Sequence, residues 1–499
     1  MKESACNELE KVQGHMSCWK DGWHHRQGRL NLLSLRWLVA SVTCTAVILF
    51  AIAHLAKQSF TPSPISSEVN RVQKTVGLNI IAKLVALIEP MLPNLAEKDY
   101  ARVMSELDKL LRSFMEDADE KTLYKLCILY GYLGMRLRAS ECFKGLLQRL
   151  GGKENRETRL LGVLVSGKRV SPQSVNQIER SIEALQLGWF EKLAKAWLYE
   201  KAFMFARANE LRQEIHQSAL RGLIPLFGIL VVLLVVGILG VILTPFITYL
   251  LCRDIKRKGG QVRAIDPLLL FEAFAVYLAV VGVAAPVLAQ QIALKTSKTF
   301  EAMFATALIL NQTLTALTLL WLVFLLRSNQ SSLSSIGWHA NNVGSELAFG
   351  LGAYICIMPW AWLLSLLSFL LSRSLSGVLQ EPIHPVAQAV VLRSSPMLIL
   401  AVFVAGVLIA PAVEETFFRG VLYNVLRQRI GILPSAALSA LLFAILHPQS
   451  LLGIPPLFII GLWLSLLYEA RMSIVGCIFA HALINLNSLT LLTFFIMLR

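Results

Sequence analysis

The sequence predicts an all-α protein: a polytopic membrane helical bundle joined to an extramembrane helical domain. Hydrophobic residues make up 55% of the chain and charged residues only 16%, whereas soluble domains carry about a quarter charged residues. Several apolar runs reach the roughly 20 residues that cross a bilayer core. Between the first two runs, apolar residues instead recur every three or four positions within charged sequence, which is the pattern of amphipathic helices.

Composition also limits the partners. The formal net charge of +15 does not indicate a nucleic-acid partner, because no basic motif with interleaved aromatic residues accompanies it and basic residues are expected beside membrane helices. The eight cysteines show neither a C-x-x-C pair nor zinc-finger spacing. They predict neither a disulfide framework nor a cysteine-ligated metal, and the lipid bilayer is the partner that composition predicts.

The N-terminal region divides into a polar, basic tail over residues 1–36 and an apolar segment over 37–56. Basic residues before an apolar run keep that end in the cytoplasm, so we interpret 37–56 as a transmembrane signal anchor. A cleaved signal peptide is the alternative, because Ala51, Ile52 and Ala53 resemble a cleavage site. The leading region is far longer than such signals carry, which favours retention.

Residues 57–218 form the predicted extramembrane helical domain. Within it, one stretch of sequence fits the pattern of a tetratricopeptide repeat. A single repeat does not distinguish a tetratricopeptide-like fold from a plain helical bundle, and both interpretations stay open. A tetratricopeptide-like domain would bind a protein partner. The residues at the offsets of such a helix pair, in which small residues let two helices cross closely, are Tyr130, Leu133, Gly134, Ala139, Phe143 and Leu147.

Three transmembrane helices are predicted over residues 219–330, followed by a polar linker over 331–345. Glu272 lies near the end of its helix, where an acidic residue costs less than at the centre, so we expect it at the membrane interface. The loop between the first two of these helices is predicted to be cytoplasmic because of its basic residues, which are Arg253, Lys256, Arg257, Lys258 and Arg263. With the N-terminus also cytoplasmic, residues 57–218 are expected on the opposite face of the cell membrane.

A second membrane region over residues 346–499 brings the expected number of spans close to nine, and it contains three polar sets within apolar sequence. The first set is Glu414, Glu415 and Arg419. At helical spacing Glu415 and Arg419 share a face, whereas Glu414 points about 100° away. Glu415 is therefore predicted to pair with the arginine, which leaves Glu414 as the candidate general base.

The other two sets supply the remaining residue types of a hydrolase. His447 ends an apolar helix, and His481 shares a helical face with Asn485. Glu414, His447 and His481 could ligate a divalent metal such as zinc, or could orient and activate a water without a metal. The pattern is not a H-E-x-x-H site, so both alternatives stay open. The Asn485 carboxamide is suited to stabilising an oxyanion.

Taken in chain order, three motifs within residues 345–499 resemble those of the CPBP family of intramembrane proteases, also called the CAAX prenyl protease 2 or Abi family. The motifs are Glu414-Glu415-x-x-x-Arg419, Phe443-x-x-x-His447 and His481-x-x-x-Asn485. The resemblance implies a helical bundle whose active site lies in a membrane cavity, and proteolysis of peptides or protein termini. The roles it implies are water activation by Glu414 and His447, oxyanion stabilisation by His481 and Asn485, and support of the site by Glu415 and Arg419.

The predicted function is therefore that of an intramembrane (metallo)endopeptidase for membrane-associated or C-terminal peptide substrates, with prenylated proteins as only one substrate class. The alternative is a non-catalytic membrane scaffold or immunity protein that binds partners through the helical domain. The intact site residues favour the enzyme. A transporter would show two related halves with interrupted helices, and the sequence has no such internal symmetry.

Overall fold

The computed structural model describes residues 34–53, 64–115, 118–152, 156–166, 169–257, 265–297, 299–340, 342–374, 395–447 and 451–497. Most of the N-terminal tail predicted over 1–36 lies outside these residues, as do Lys258 and Arg263 of the basic loop. Within the described residues the chain forms helices and turns without a strand. The predicted all-α fold class is confirmed.

The helices divide between two compact units. The helical unit, which runs from Pro64 to Leu234 and includes the end of the last helix, contains α2 (Pro64–Ile88), α3 (Glu97–Arg112), α4 (Glu120–Tyr132), α5 (Arg136–Arg149), α6 (Arg156–Val165), α7 (Pro172–Ala184), α8 (Trp189–Lys201) and the first part of α9 (Phe205–Arg257). The membrane unit contains α1 (Ser34–Ala53), the rest of α9, α10 (Pro267–Thr296), α11 (Phe300–Ser328), α12 (Val343–Ser374), α13 (Pro396–Ile430), α14 (Ile432–Ile445), α15 (Ile454–Arg471) and α16 (Val475–Met497).

Among the described residues, nine helices are long and apolar enough to cross a membrane. They differ from the expected spans at two places. The segment Lys74–Asn94 qualifies by composition, although it falls in the predicted extramembrane domain, and its apolar residues Leu78, Ala82 and Val85 lie buried in the core of the helical unit. Helix α14 lies in the second membrane region, where the apolar segment over 432–447 predicts a span, but it has only 14 residues, fewer than a bilayer core requires.

The helix pair expected around residues 120–149 is present as α4 and α5. Tyr130 and Ala139 are fully buried between them and their neighbours. Gly131 permits a further close contact, because a Cβ atom at this position would lie 2.5 Å from the Trp197 ring. One helix pair does not distinguish a tetratricopeptide-like fold from a plain helical bundle, so the tetratricopeptide-like assignment stays a prediction.

The core of the membrane unit extends beyond the region predicted to hold the protease. Tyr277 of α10 stacks on Phe417 of α13 with ring centroids 4.1 Å apart and planes at 12°. Phe418 makes edge contacts with Phe274 of α10 and Phe443 of α14. Residues outside 346–499 therefore pack directly against the helix that carries the first polar set.

The segment predicted as a linker over 331–345 also packs into this core. Ile336 is fully buried, and Trp338 donates from Nε1 to Thr416 Oγ1 at 3.0 Å. Gly337, at φ 106°, accepts a backbone hydrogen bond from Ile474 at 3.0 Å. The polar composition of the segment 331–345 does not indicate these contacts, because its few apolar residues stand between polar ones.

Charged residues connect several helix ends on one face of the membrane unit. Arg36 at the start of α1 donates to both Glu272 oxygens, at 2.6 and 2.5 Å, which agrees with the end position expected for this glutamate. At other helix ends, Arg471 contacts Glu346 at 2.7 Å and Asp254 at 3.3 Å. Asp254 lies near the end of α9 and Glu272 near the start of α10, the next helix along the chain, so these ends lie on the same side of the bundle.

Candidate active site

Helix α13 is widened on both sides of the two glutamates. A π-helical segment over Ala405–Ile409 precedes the α-helical turn Ala410–Glu415, and a second one, Thr416–Tyr423, follows it. Such π segments within helices occur frequently at functional sites. Adjacent residues of an α-helical turn point about 100° apart, so Glu414 and Glu415 enter the bundle from different angles.

The first π segment leaves one carbonyl for Asn485. The Ala410 N–H donates to Ala405, and Pro411 has no N–H to donate. The Gly406 carbonyl therefore lacks both donors that could reach it within the helix, and it accepts from Asn485 Nδ2 of α16 at 2.7 Å. One N–H of the predicted oxyanion donor thus anchors α16 to α13, and the carboxamide retains a second N–H for a ligand.

Glu415 and Arg419 form the pair that their spacing predicts. Both side chains are fully buried, and Arg419 donates from Nη1 to Glu415 Oε1 at 2.8 Å. Its Nη2 donates to the Gly461 carbonyl of α15 at 3.2 Å, and its guanidinium lies 4.7 Å from the centre of the Phe443 ring. Hydrogen bonds and a cation–π contact thus replace part of the hydration that the arginine loses, while Arg419 Nε and Glu415 Oε2 are buried without a hydrogen-bond partner among the described residues.

Gly461 explains how α15 comes close enough to accept this bond. A Cβ atom at this position would lie 2.9 Å from Ala440 Cα of α14, closer than real side chains approach. Glycine therefore allows α14 and α15 to pack with their backbones nearly in contact. Sequence reasoning missed Gly461 as a site residue, since a single glycine in an apolar helix does not indicate which helix it meets.

Glu415 also orients His481. The Nδ1 atom of His481 lies 2.8 Å from Glu415 Oε1, and an ionised carboxylate only accepts hydrogen bonds. The proton must then be on Nδ1, so Nε2 of the neutral ring carries a lone pair. This Nε2 atom lies 3.8 Å from Glu414 Oε2.

His447 is oriented in the same manner by a backbone carbonyl. Its Nδ1 atom lies 2.6 Å from the Phe443 carbonyl oxygen, one helical turn earlier. A carbonyl only accepts, so this ring carries a proton on Nδ1, and in the neutral ring Nε2 then has a lone pair. The His447 Nε2 atom lies 3.5 Å from Glu414 Oε2.

Three acceptor atoms therefore converge on one point. Glu414 Oε2 is buried without a hydrogen-bond partner in the structure, and each histidine Nε2 is too far from it for a direct hydrogen bond. The Glu414 and His447 side chains remain 23% and 20% exposed, so the point where the three atoms converge lies beside partly exposed side chains. A water molecule placed there would donate to two of the three acceptors, which is the geometry needed to position and deprotonate it.

The residues predicted as metal ligands are these same three, Glu414, His447 and His481. Zinc sites hold such nitrogen and oxygen atoms at about 2.0 to 2.2 Å from the ion. Within the described residues, no group of three histidine, cysteine, aspartate or glutamate side chains is arranged to hold a metal ion.

Residues 396–487 match the family model described as Type II CAAX prenyl endopeptidase Rce1-like. No curated protein and no solved structure matches. The matched region contains Glu414, Glu415, Arg419, His447 and His481 together with Asn485. This match, on the helices that carry the polar sets, supports assignment of the C-terminal membrane region to the CPBP family of CAAX-type intramembrane proteases.

Proposed function

We propose that this protein is an intramembrane endopeptidase that hydrolyses membrane-associated or C-terminal peptide substrates with a water activated by Glu414. The observation that carries the proposal is the approach of two histidine Nε2 atoms, at 3.5 and 3.8 Å, to one glutamate oxygen. A purely structural glutamate in an apolar bundle would be paired as Glu415 is. Glu414 has no such arginine within the described part of the chain, and its Oε2 atom is buried without a hydrogen-bond partner and faces both histidines.

In the proposed reaction, Glu414 takes one proton from the water while the water oxygen bonds to the peptide carbonyl carbon. The carbonyl π electrons move to its oxygen, and the second N–H of Asn485 is the donor offered to the resulting oxyanion. His481 could donate to it only after its Nε2 gains a proton. When the C–N bond breaks, the proton on Glu414 passes to the amine, which leaves a carboxylic acid and a free amino group.

A comparison of membrane proteomes tests this proposal. Cells that produce the native protein and cells that produce the Glu414→Gln variant are compared for new protein N-termini and shortened C-termini. We expect a set of cleaved membrane-associated peptides that appears only with the native protein. Identical cleavage products in both cell lines would contradict the peptidase and would favour the scaffold interpretation.

We expect the activity to survive metal removal. The purified protein is dialysed against EDTA and then assayed for peptide cleavage, with the residual zinc content measured by mass spectrometry. Because each step above uses atoms of Glu414, Asn485 and water, cleavage should stay within about twofold of the untreated rate; loss of even one catalytic interaction costs on the order of 100-fold. A loss of cleavage that zinc restores would assign Glu414, His447 and His481 to a metal.

We also propose that the charged face of the membrane unit is cytoplasmic, which places residues 57–218 on the opposite side. Cysteine labelling tests this in cells whose protein carries serine at positions 6, 18 and 252. A Lys98→Cys variant should react with a membrane-impermeant maleimide on intact cells, whereas Arg257→Cys should react only after permeabilisation. The opposite pattern would reverse the orientation.

A further inference from the structure

A cavity of about 340 Å³ opens in the helical unit. Helices α3, α4, α5, α8 and α9 each contribute to its lining. This volume lies within the range of small-ligand pockets. The cavity contains none of the residues of the candidate active site, and it is independent of the proposed peptide hydrolysis.

One arginine holds both carboxylates of the lining. Arg212 contacts Glu89 at 3.1 Å and Glu200 at 2.5 Å, and its guanidinium lies over the Tyr132 ring at 5.4 Å. Its Nε donor is buried without a hydrogen-bond partner. Both carboxylates of the cavity are therefore paired with Arg212, while the Nε donor of this arginine has no acceptor among the residues that the structure describes.

Two further cations line the cavity without such a partner. Neither Arg136 nor Lys201 makes an ion pair with a described residue within 4 Å, whereas Glu89, Glu200 and Arg212 of the same lining do. Burial, and after it the neighbouring Arg136, lower the pKa of Lys201 from its ordinary value. Lys201 is partly buried and lies beside the exposed Arg136, and an anionic ligand between them would relieve the repulsion of their like charges.

Aromatic and apolar side chains form the remaining walls. Tyr100 is 40% exposed at the cavity, and Trp197 is packed against the backbone of α4 at Gly131. Leu133 and Pro93 complete this part of the lining. A ligand that fits must therefore present an apolar or aromatic group beside its negative charge.

We propose that this cavity binds an acidic peptide segment, with a carboxylate held by Arg136 and Lys201 and an adjacent apolar side chain against Tyr100. A lipid headgroup would offer a similar charge, but the geometry of α9 disfavours it. Arg212 precedes Leu223, where the apolar run of this helix begins, by 11 residues, or about 16 Å of helix. The headgroup layer is only roughly 6 Å thick on each side of the hydrocarbon core.

The test measures fluorescence anisotropy of a labelled peptide with the full-length, detergent-solubilised protein. The protein carries Glu414→Gln so that the probe is not cleaved. The probes are fluorescein-labelled Leu-Phe-Glu and Leu-Phe-Gln with the same C-terminal group, so that they differ only in the side-chain carboxylate. We expect the glutamate probe to bind about tenfold more tightly than the glutamine probe, since charge-assisted hydrogen bonds are roughly twice as strong as neutral ones.

The matched variants separate the cavity from general attraction to a basic protein. Arg136→Gln with Lys201→Gln should weaken binding of the acidic probe about tenfold or more, whereas Lys144→Gln with Arg149→Gln, which removes the same charge from exposed positions on α5, should not. Equal binding by both double variants would overturn the proposal. It would also be overturned if phosphatidylglycerol vesicles, and not the peptide, bound in a manner that depends on Arg136 and Lys201. Neither result bears on cleavage by the membrane unit.

Discussion

The Glu414→Gln variant is expected to cleave peptides about 10²- to 10⁴-fold more slowly than the native protein, the usual contribution of a general base. Glutamine keeps the size of the side chain and removes only its ability to take a proton. In the structure Glu414 Oε2 makes no hydrogen bond and the side chain is 23% exposed, so the substitution leaves no buried partner unsatisfied. Initial rates of peptide cleavage measured by mass spectrometry give the ratio directly.

The stability of this variant should stay close to that of the native protein. The thermal unfolding midpoint in detergent can be followed with a thiol-reactive dye, because Cys356 and Cys477 are buried in the membrane unit. Glu301→Gln, a carboxylate change on α11, serves as the matched control and should leave the rate unchanged. A Glu414→Gln variant that cleaves at the native rate is incompatible with a glutamate-activated water.

The Arg419→Ala variant should instead lose both stability and activity. Its guanidinium neutralises the fully buried Glu415 and donates to the Gly461 carbonyl, so alanine leaves a buried charge and a buried acceptor without this donor. Removal of one partner of a buried ion pair costs about 3 to 5 kcal/mol. We expect a clear fall in the unfolding midpoint, and loss of cleavage because His481 depends on Glu415 for its orientation.

A double variant separates these two effects. In Glu415→Gln with Arg419→Met the buried charges are both removed, and exchanging such a pair for neutral groups is often without cost. The double variant should therefore unfold nearer the native midpoint than Arg419→Ala. Arg429→Ala, an exposed arginine near the end of the same helix, should change neither property. An Arg419→Ala variant with the native midpoint would show that the pair is not buried as described.

The positions that could be identified from the sequence are those where a charged group in apolar surroundings has a high free energy. Glu414, Glu415 and Arg419 interrupt apolar sequence, so their cost alone indicates that they face protein, and their spacing predicts the Glu415–Arg419 contact. The all-α fold could be predicted for a related reason, because apolar runs and helical periodicity are local signals. The approach of His447 and His481 to Glu414 was expected from the motifs rather than from local pattern.

The contacts that could not be predicted depend on which helices become neighbours. Nothing in the residues around Tyr277 indicates that its ring stacks on Phe417, or that Gly461 meets Ala440. Asn485 was expected as an oxyanion donor, and its bond to Gly406 arises from a π segment followed by Pro411. Such tertiary pairings are set by packing and are not encoded within a short stretch of sequence.

The most direct measurement of the central claim is peptide cleavage by the purified full-length protein in water enriched in ¹⁸O. A glutamate-activated water predicts one ¹⁸O atom in the new C-terminal carboxylate after a single turnover, with cleavage lowered by the Glu414→Gln substitution and unaffected by EDTA. Products that form equally with Glu414→Gln, or that carry no ¹⁸O in the new carboxylate, would contradict the account.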